Sequence, residues 1–91
     1  MEVELRVLNA RSLKDKRQVV KSTVETVRRR FGISVAEVAA QDSWQRAVLG
    51  FAVVASSASQ AERVLDDVDR FVWSRLDVEI VTAERFWLDT D

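Results

Sequence analysis

The 91-residue sequence contains no cysteine, no histidine and no proline, and only two glycines, Gly32 and Gly50. Without cysteine there is no disulfide framework and no thiolate metal ligand. Without histidine there is no imidazole base, no Ser–His or Cys–His nucleophile pair and no His-ligated zinc. Catalysis would have to come from carboxylates, lysines and arginines, and no such constellation stands out. The expectation is a non-catalytic protein with neither metal nor cofactor. No apolar run approaches the roughly 20 residues of a membrane helix. The opening Met1-Glu2-Val3-Glu4 is acidic and alternating, unlike a secretory signal, so a cytoplasmic location is expected.

What is present is ordinary for a globular protein, 47% hydrophobic and 32% charged. With no linker-like or low-complexity stretch, residues 1–91 read as one domain, in the size range where oligomerisation often aids stability. Arginine outnumbers lysine 11 to 3, which fits either a thermophilic source or a GC-rich genome.

Periodicity orders the elements. Residues 2–8 alternate, with Val3, Leu5 and Val7 on one side, as in a half-buried strand. Ser12 and Asp15 form a capping-box-like helix start. Leu13, Val20, Val24, Val27 and Phe31 follow at helical spacing, and Gly32 is the stop. Residues 33–40 and 46–56 read as strands joined by the short connection Gln41–Gln45. Ser59 with Glu62 predicts the start of a second helix, carrying Ala61, Val64, Leu65, Val68, Phe71 and Val72. Asp77–Leu88 reads as a last strand whose alternation slips near Val81, as at a bulge. The order β-α-β-β-α-β predicts an α+β, ferredoxin-like fold: a four-stranded antiparallel sheet in the order 4-1-3-2, with two helices on one face.

The third strand is apolar on both sides, where a strand with one solvated face alternates with polar residues. Assigning the bulkier Leu49, Phe51 and Val53 to the helix side leaves Val48, Gly50, Ala52 and Val54 as an apolar open face. That face suits a homodimer through sheet faces, or is covered by the C-terminal segment or long flanking side chains. Gly50-Phe51-Ala52-Val53-Val54 partly fits the RNA-recognition pattern on the third strand of this fold, but Val53 and Ser56 stand where stacking aromatics are needed. Base reading on the sheet is therefore not expected.

Charge is uneven. Residues 11–31 hold eight basic and two acidic residues, a net +6, whereas residues 58–91 sum to −5. Such asymmetry points to an anionic partner. Lys14, Arg17, Lys21 and Arg28 fall on one helix strip about 60° wide, interrupted by Glu25, with Lys16 a further cation of the same run. The strip could follow a phosphate backbone without reading sequence. It could equally be a solvated face, with Arg28–Arg30 completing the helix dipole, or pair in trans with the acidic second helix at Asp66, Asp67 and Asp69. The pI near 5.5 argues against a dedicated high-affinity nucleic-acid binder.

Three further residues qualify as partner contacts. Trp44 sits in a short polar loop, either exposed as a contact anchor or folded onto the sheet edge. Glu37 lies on an apolar strand, either pairing outward with a cation such as Arg46 or buried as a carboxylate of functional interest. Joined to Arg or Lys, Glu37 is also the sole seed of an enzymatic alternative. Trp73 and Trp87 are expected to be packing residues.

The run Ser12-Leu13-Lys14-Asp15-Lys16-Arg17, the pattern Phe31-x-x-Ser34-x-Ala36-Glu37-Val38 and the segment Trp44-Gln45-Arg46-Ala47 resemble the YlxP-like family of small bacterial proteins over essentially the whole chain. The resemblance implies a bacterial protein, a domain of unknown function and a ferredoxin-like fold. It also implies genes set among those of transcription termination, translation initiation and ribosome maturation. It supplies no catalytic residues. Two functions follow as expectations: an RNA- or ribosome-associated binding protein using the basic helix, or a homo-oligomeric small-molecule-sensing or protein-interaction module.

Overall fold

A computed structural model describes residues 1–88. The chain runs β1 (Glu2–Val7), α1 (Leu13–Phe31), β2 (Ser34–Ala39), β3 (Arg46–Ala52), α2 (Ala58–Ser74) and β4 (Val78–Glu84). The strands form one antiparallel sheet in the order β2-β3-β1-β4. This is the expected ferredoxin-like α+β arrangement.

Alternation in the strands sets which side meets the helices. Val3, Leu5 and Val7 are buried, and the β1–β3 register places Leu49 opposite Val3 and Ala47 opposite Leu5. The bulkier set of β3, Leu49 and Phe51, therefore faces the core. Val20, Val24 and Val27 from α1 close it from above, with Leu65, Val68 and Val72 from α2. Each such side chain contributes about 1.5–3 kcal/mol through removal of apolar surface from water. The two helices also meet through Phe31 and Phe71, edge to face with centroids 6.0 Å apart. The Arg30 guanidinium lies 5.4 and 5.6 Å from those two rings, so it is a packing cation as well as a dipole complement.

Gly32 ends α1 at φ 66°, with its N–H donating to the Arg28 carbonyl at 3.0 Å. On β4 the register slips, with Glu4 facing Thr82 but Leu5 facing Ile80. Val81 is the extra residue and bulges outward from this edge strand, as the broken alternation indicated.

Several boundaries differ from expectation. The strand expected over 46–56 ends at Ala52, that over 33–40 is Ser34–Ala39, and that over 77–88 is Val78–Glu84. α2 is capped by Ser57, not Ser59; the Ser57 hydroxyl accepts from the Gln60 N–H at 3.2 Å. Starting two residues earlier extends the helix by half a turn while still supplying a capping hydroxyl. Trp73 and Trp87 are exposed rather than packed. Trp73 falls about 100° around the helix from Val72, off the buried stripe, and Trp87 lies past the end of β4.

Candidate functional site

The run 12–17 divides by the helical period into an inward and an outward half. Ser12 caps α1, its hydroxyl accepting from the Asp15 N–H at 3.1 Å, while Asp15 Oδ2 accepts from the Arg11 N–H at 3.0 Å. Leu13 is half-buried and Lys16 fully buried, at 0% exposure. Only Lys14 and Arg17 of this run's cations stand in solvent.

Lys16 therefore leaves the set of surface anion-binding candidates. Its position explains why: it lies four residues before Val20 and eleven before Val27, inside the apolar stripe. Its ammonium donates to the carbonyls of Ala40 at 2.9 Å and Gln41 at 3.3 Å and forms an ion pair with Glu37. Glu37 sits on β2 opposite Leu49, hence on the helix side, with its side chain 17% exposed. Its Oε2 is sealed from water, and among the described residues Lys16 carries the charge that meets it. The expected pairing of Glu37 with Arg46 is thus corrected. Arg46 lies on the opposite face of the sheet and pairs with Glu4 at 3.0 Å. That contact holds the Glu4 carboxyl below the usual glutamate range and raises Arg46.

Lys14, Arg17 and Lys21 are exposed, and among the described residues no carboxylate lies within ion-pair distance of them. At 1.5 Å per residue they span about 10 Å of helix. Arg28, the far end of the strip, is exposed but committed: it donates to the Val35 carbonyl at 2.8 Å. Ala36 and Gly50 form a β2–β3 pair while Phe51 bonds to Met1, so the main-chain groups of Val35 and Glu37 point off the sheet edge. Arg28 on Val35, Gln41 on Glu37 at 3.5 Å, and Lys16 on Ala40 and Gln41 blunt that edge. The flank of α1 bearing the strip thus looks over β2. The acidic residues of α2 partly consume one another's neighbours, Asp66 pairing with Arg85 and Asp67 with Arg70.

Trp44 is 44% exposed in the loop between β2 and β3. The loop opens on Ala40, held at φ 61°, whose carbonyl also accepts from the Ser43 N–H at 3.0 Å. A left-handed conformation at a non-glycine residue is uncommon and strained by about 1–3 kcal/mol. The Ser43 hydroxyl in turn accepts from the Arg46 N–H at 3.1 Å.

The expected apolar face is smaller than the strand pattern suggested. Val48 is already buried in the single chain, between Glu4 and Ala39 across the ladder. Val54 lies past the end of β3 and is fully exposed. Gly50 and Ala52 remain on the open face beside Ala36 and Val38, the last 50% exposed. Gly50 has a steric role: a Cβ there would stand 2.9 Å from Val38 Cγ1. Among the described residues there is no cluster of metal-ligating side chains and no helix long and apolar enough to cross a membrane.

Residues 1–85 match the family model described as protein of unknown function, DUF503. The uncharacterised protein YlxP of Bacillus subtilis (strain 168) is 37% identical over 86 residues, covering 94% of each chain. Matched along nearly its whole length by both, the chain belongs to the DUF503 family.

Proposed function

We propose that this is a non-catalytic RNA- or ribosome-associated binding protein, acting through the outer flank of α1. The observation that carries the reading is the set Lys14, Arg17 and Lys21: three exposed cations on one helix flank with no carboxylate of their own chain to neutralise them. Side chains of this kind position a protein on phosphates and carry no base information. Arg28 adds charge but is tied to Val35, so it is a weaker contributor. Three phosphate contacts and a net charge of −1 describe a modest, salt-sensitive binder. Co-sedimentation with ribosomal subunits across a salt series tests it. Association at low salt that disappears on reversing Arg17 and Lys21 is expected; indifference to those reversals refutes it.

A second reading rests on the open face, where Ala36, Val38, Gly50 and Ala52 leave apolar surface beside the Glu4–Arg46 pair. On this reading the face packs on a second copy, forming a homodimer or a small-molecule-sensing module. Light scattering at micromolar concentration decides it: a dimer that dissociates in Val38→Lys supports it, and a monomer refutes it.

A further inference from the structure

Three features that stability alone would not retain meet at one end of the molecule. Lys16 is fully buried, where an ammonium pays several kcal/mol of desolvation and an apolar side chain would pack in the same stripe. Ala40 is held left-handed at φ 61°. Trp44, the largest side chain in the loop, stays nearly half in solvent. They are physically joined. Lys16 grips the carbonyls of Ala40 and Gln41, Ala40 accepts from Ser43, and Ser43 accepts from Arg46, so the backbone on both sides of Trp44 is fixed. Trp44 lies three residues past Gln41, which puts its Cα within about 11 Å of that anchor. Lys14 and Arg17 flank Lys16 on the same turn of α1 and point outward.

We propose that Trp44, Lys14 and Arg17 form one composite site for single-stranded RNA, with Lys16 as the positioning residue that fixes the loop against α1. The inference rests on the RNA reading above and specifies the form of RNA. An indole held open on a rigid loop stacks on any unpaired base, because every base has a π-face, while neighbouring cations take the flanking phosphates. Paired bases keep their faces inside the stack, so a duplex cannot use Trp44. The one aromatic residue of β1, β2 and β3 is Phe51, buried on the helix side, so these strands offer no stacking ring; Trp73, Phe86 and Trp87 are also exposed, and Trp44 is the exposed ring on the loop that Lys16 fixes.

The test is binding of the intact protein to a short fluorescein-labelled single-stranded RNA and to the same sequence as a duplex, each over a salt series. Single-stranded RNA binds the parent more tightly than duplex. Trp44→Ala weakens single-strand binding about 5- to 150-fold and leaves the salt slope unchanged, while Trp44→Phe retains most of the affinity. The double variant Lys16→Met with Glu37→Leu, which removes both charges of the pair together, melts within about 8 °C of the parent but binds single-stranded RNA only as weakly as Trp44→Ala does. In that background Trp44→Ala adds little, the signature of a positioning role. Equal binding by the parent and Trp44→Ala, or equal affinity for duplex and single strand, overturns the inference. If Lys14→Glu with Arg17→Glu abolishes binding while Trp44→Ala does not, the stacking site falls and the RNA reading stands. If the charge reversals also leave binding intact, both fall.

Discussion

Replacing Lys16 by methionine probes the most unusual contact in the fold. The side chain is nearly isosteric and suits the apolar stripe, so packing is preserved and the loss is electrostatic. Removal strands the Glu37 carboxylate, whose Oε2 is sealed from water, and takes donors from the Ala40 and Gln41 carbonyls. Breaking a buried ion pair from one side costs about 3–5 kcal/mol. Two features place this case at the lower end. Glu37 retains 17% exposure and can turn toward water, and Ala40 keeps the Ser43 N–H. A loss of about 3 kcal/mol corresponds to a midpoint lowered by about 12–24 °C for a domain of this size. The double variant Lys16→Met with Glu37→Leu removes both charges and is expected within about 1 kcal/mol of the parent. Urea unfolding of the parent, both single variants and the double variant closes the cycle, with the double variant more stable than either single by at least about 2 kcal/mol. If Lys16→Met melts within a few degrees of the parent, or if the two single losses simply add, the buried pair is not the constraint described.

Other outcomes follow from local geometry. Gly32→Ala should lose about 1 kcal/mol by strain alone, because φ is 66° and no atom lies within 4 Å of the added Cβ; thermal melting reads it. Ser12→Ala removes the α1 cap and should cost about 1 kcal/mol, measured by urea unfolding. The Glu4 carboxyl is held low chiefly by its hydrogen bond from Arg46, so its stabilising effect is present above the ordinary glutamate value and is lost as pH falls through the lowered folded value. The stability difference between the parent and Arg46→Ala should accordingly exist at neutral pH and close in acid; a gap that persists in acid contradicts the pairing. For RNA binding, three single-strand phosphate contacts imply a log–log salt slope of about −2, or about a 20-fold loss on raising salt fourfold. Replacing Lys21 by alanine, which removes one such contact, should flatten that slope by about 0.7.

The helix strip shows where sequence and structure part company. Helical period alone placed Lys14, Arg17 and Lys21 on one flank, and all three are in solvent. The same period held the information that Lys16 belongs to the buried stripe with Val20 and Val27, but its charge suggested the surface. Long-range partners overrode that: Glu37 and two loop carbonyls, 21 to 25 residues away, make burial of an ammonium tolerable. Glu37 was legible as anomalous on its strand, yet its partner was not, because facing direction depends on which sheet face meets the helices.

Alternation and capping signals, which act over two to four residues, determined the element order, the α1 cap at Ser12, the Gly32 stop and the slip at Val81. They also carried the fold, since βαββαβ with these apolar faces has few ways to bury them. Only the tertiary structure decided that Lys16 is an anchor, that Arg28 caps the β2 edge, that Val48 is already covered and that Trp44 rides on a locked loop. Each of these depends on two segments far apart in sequence arriving at one place, and no local pattern encodes that meeting.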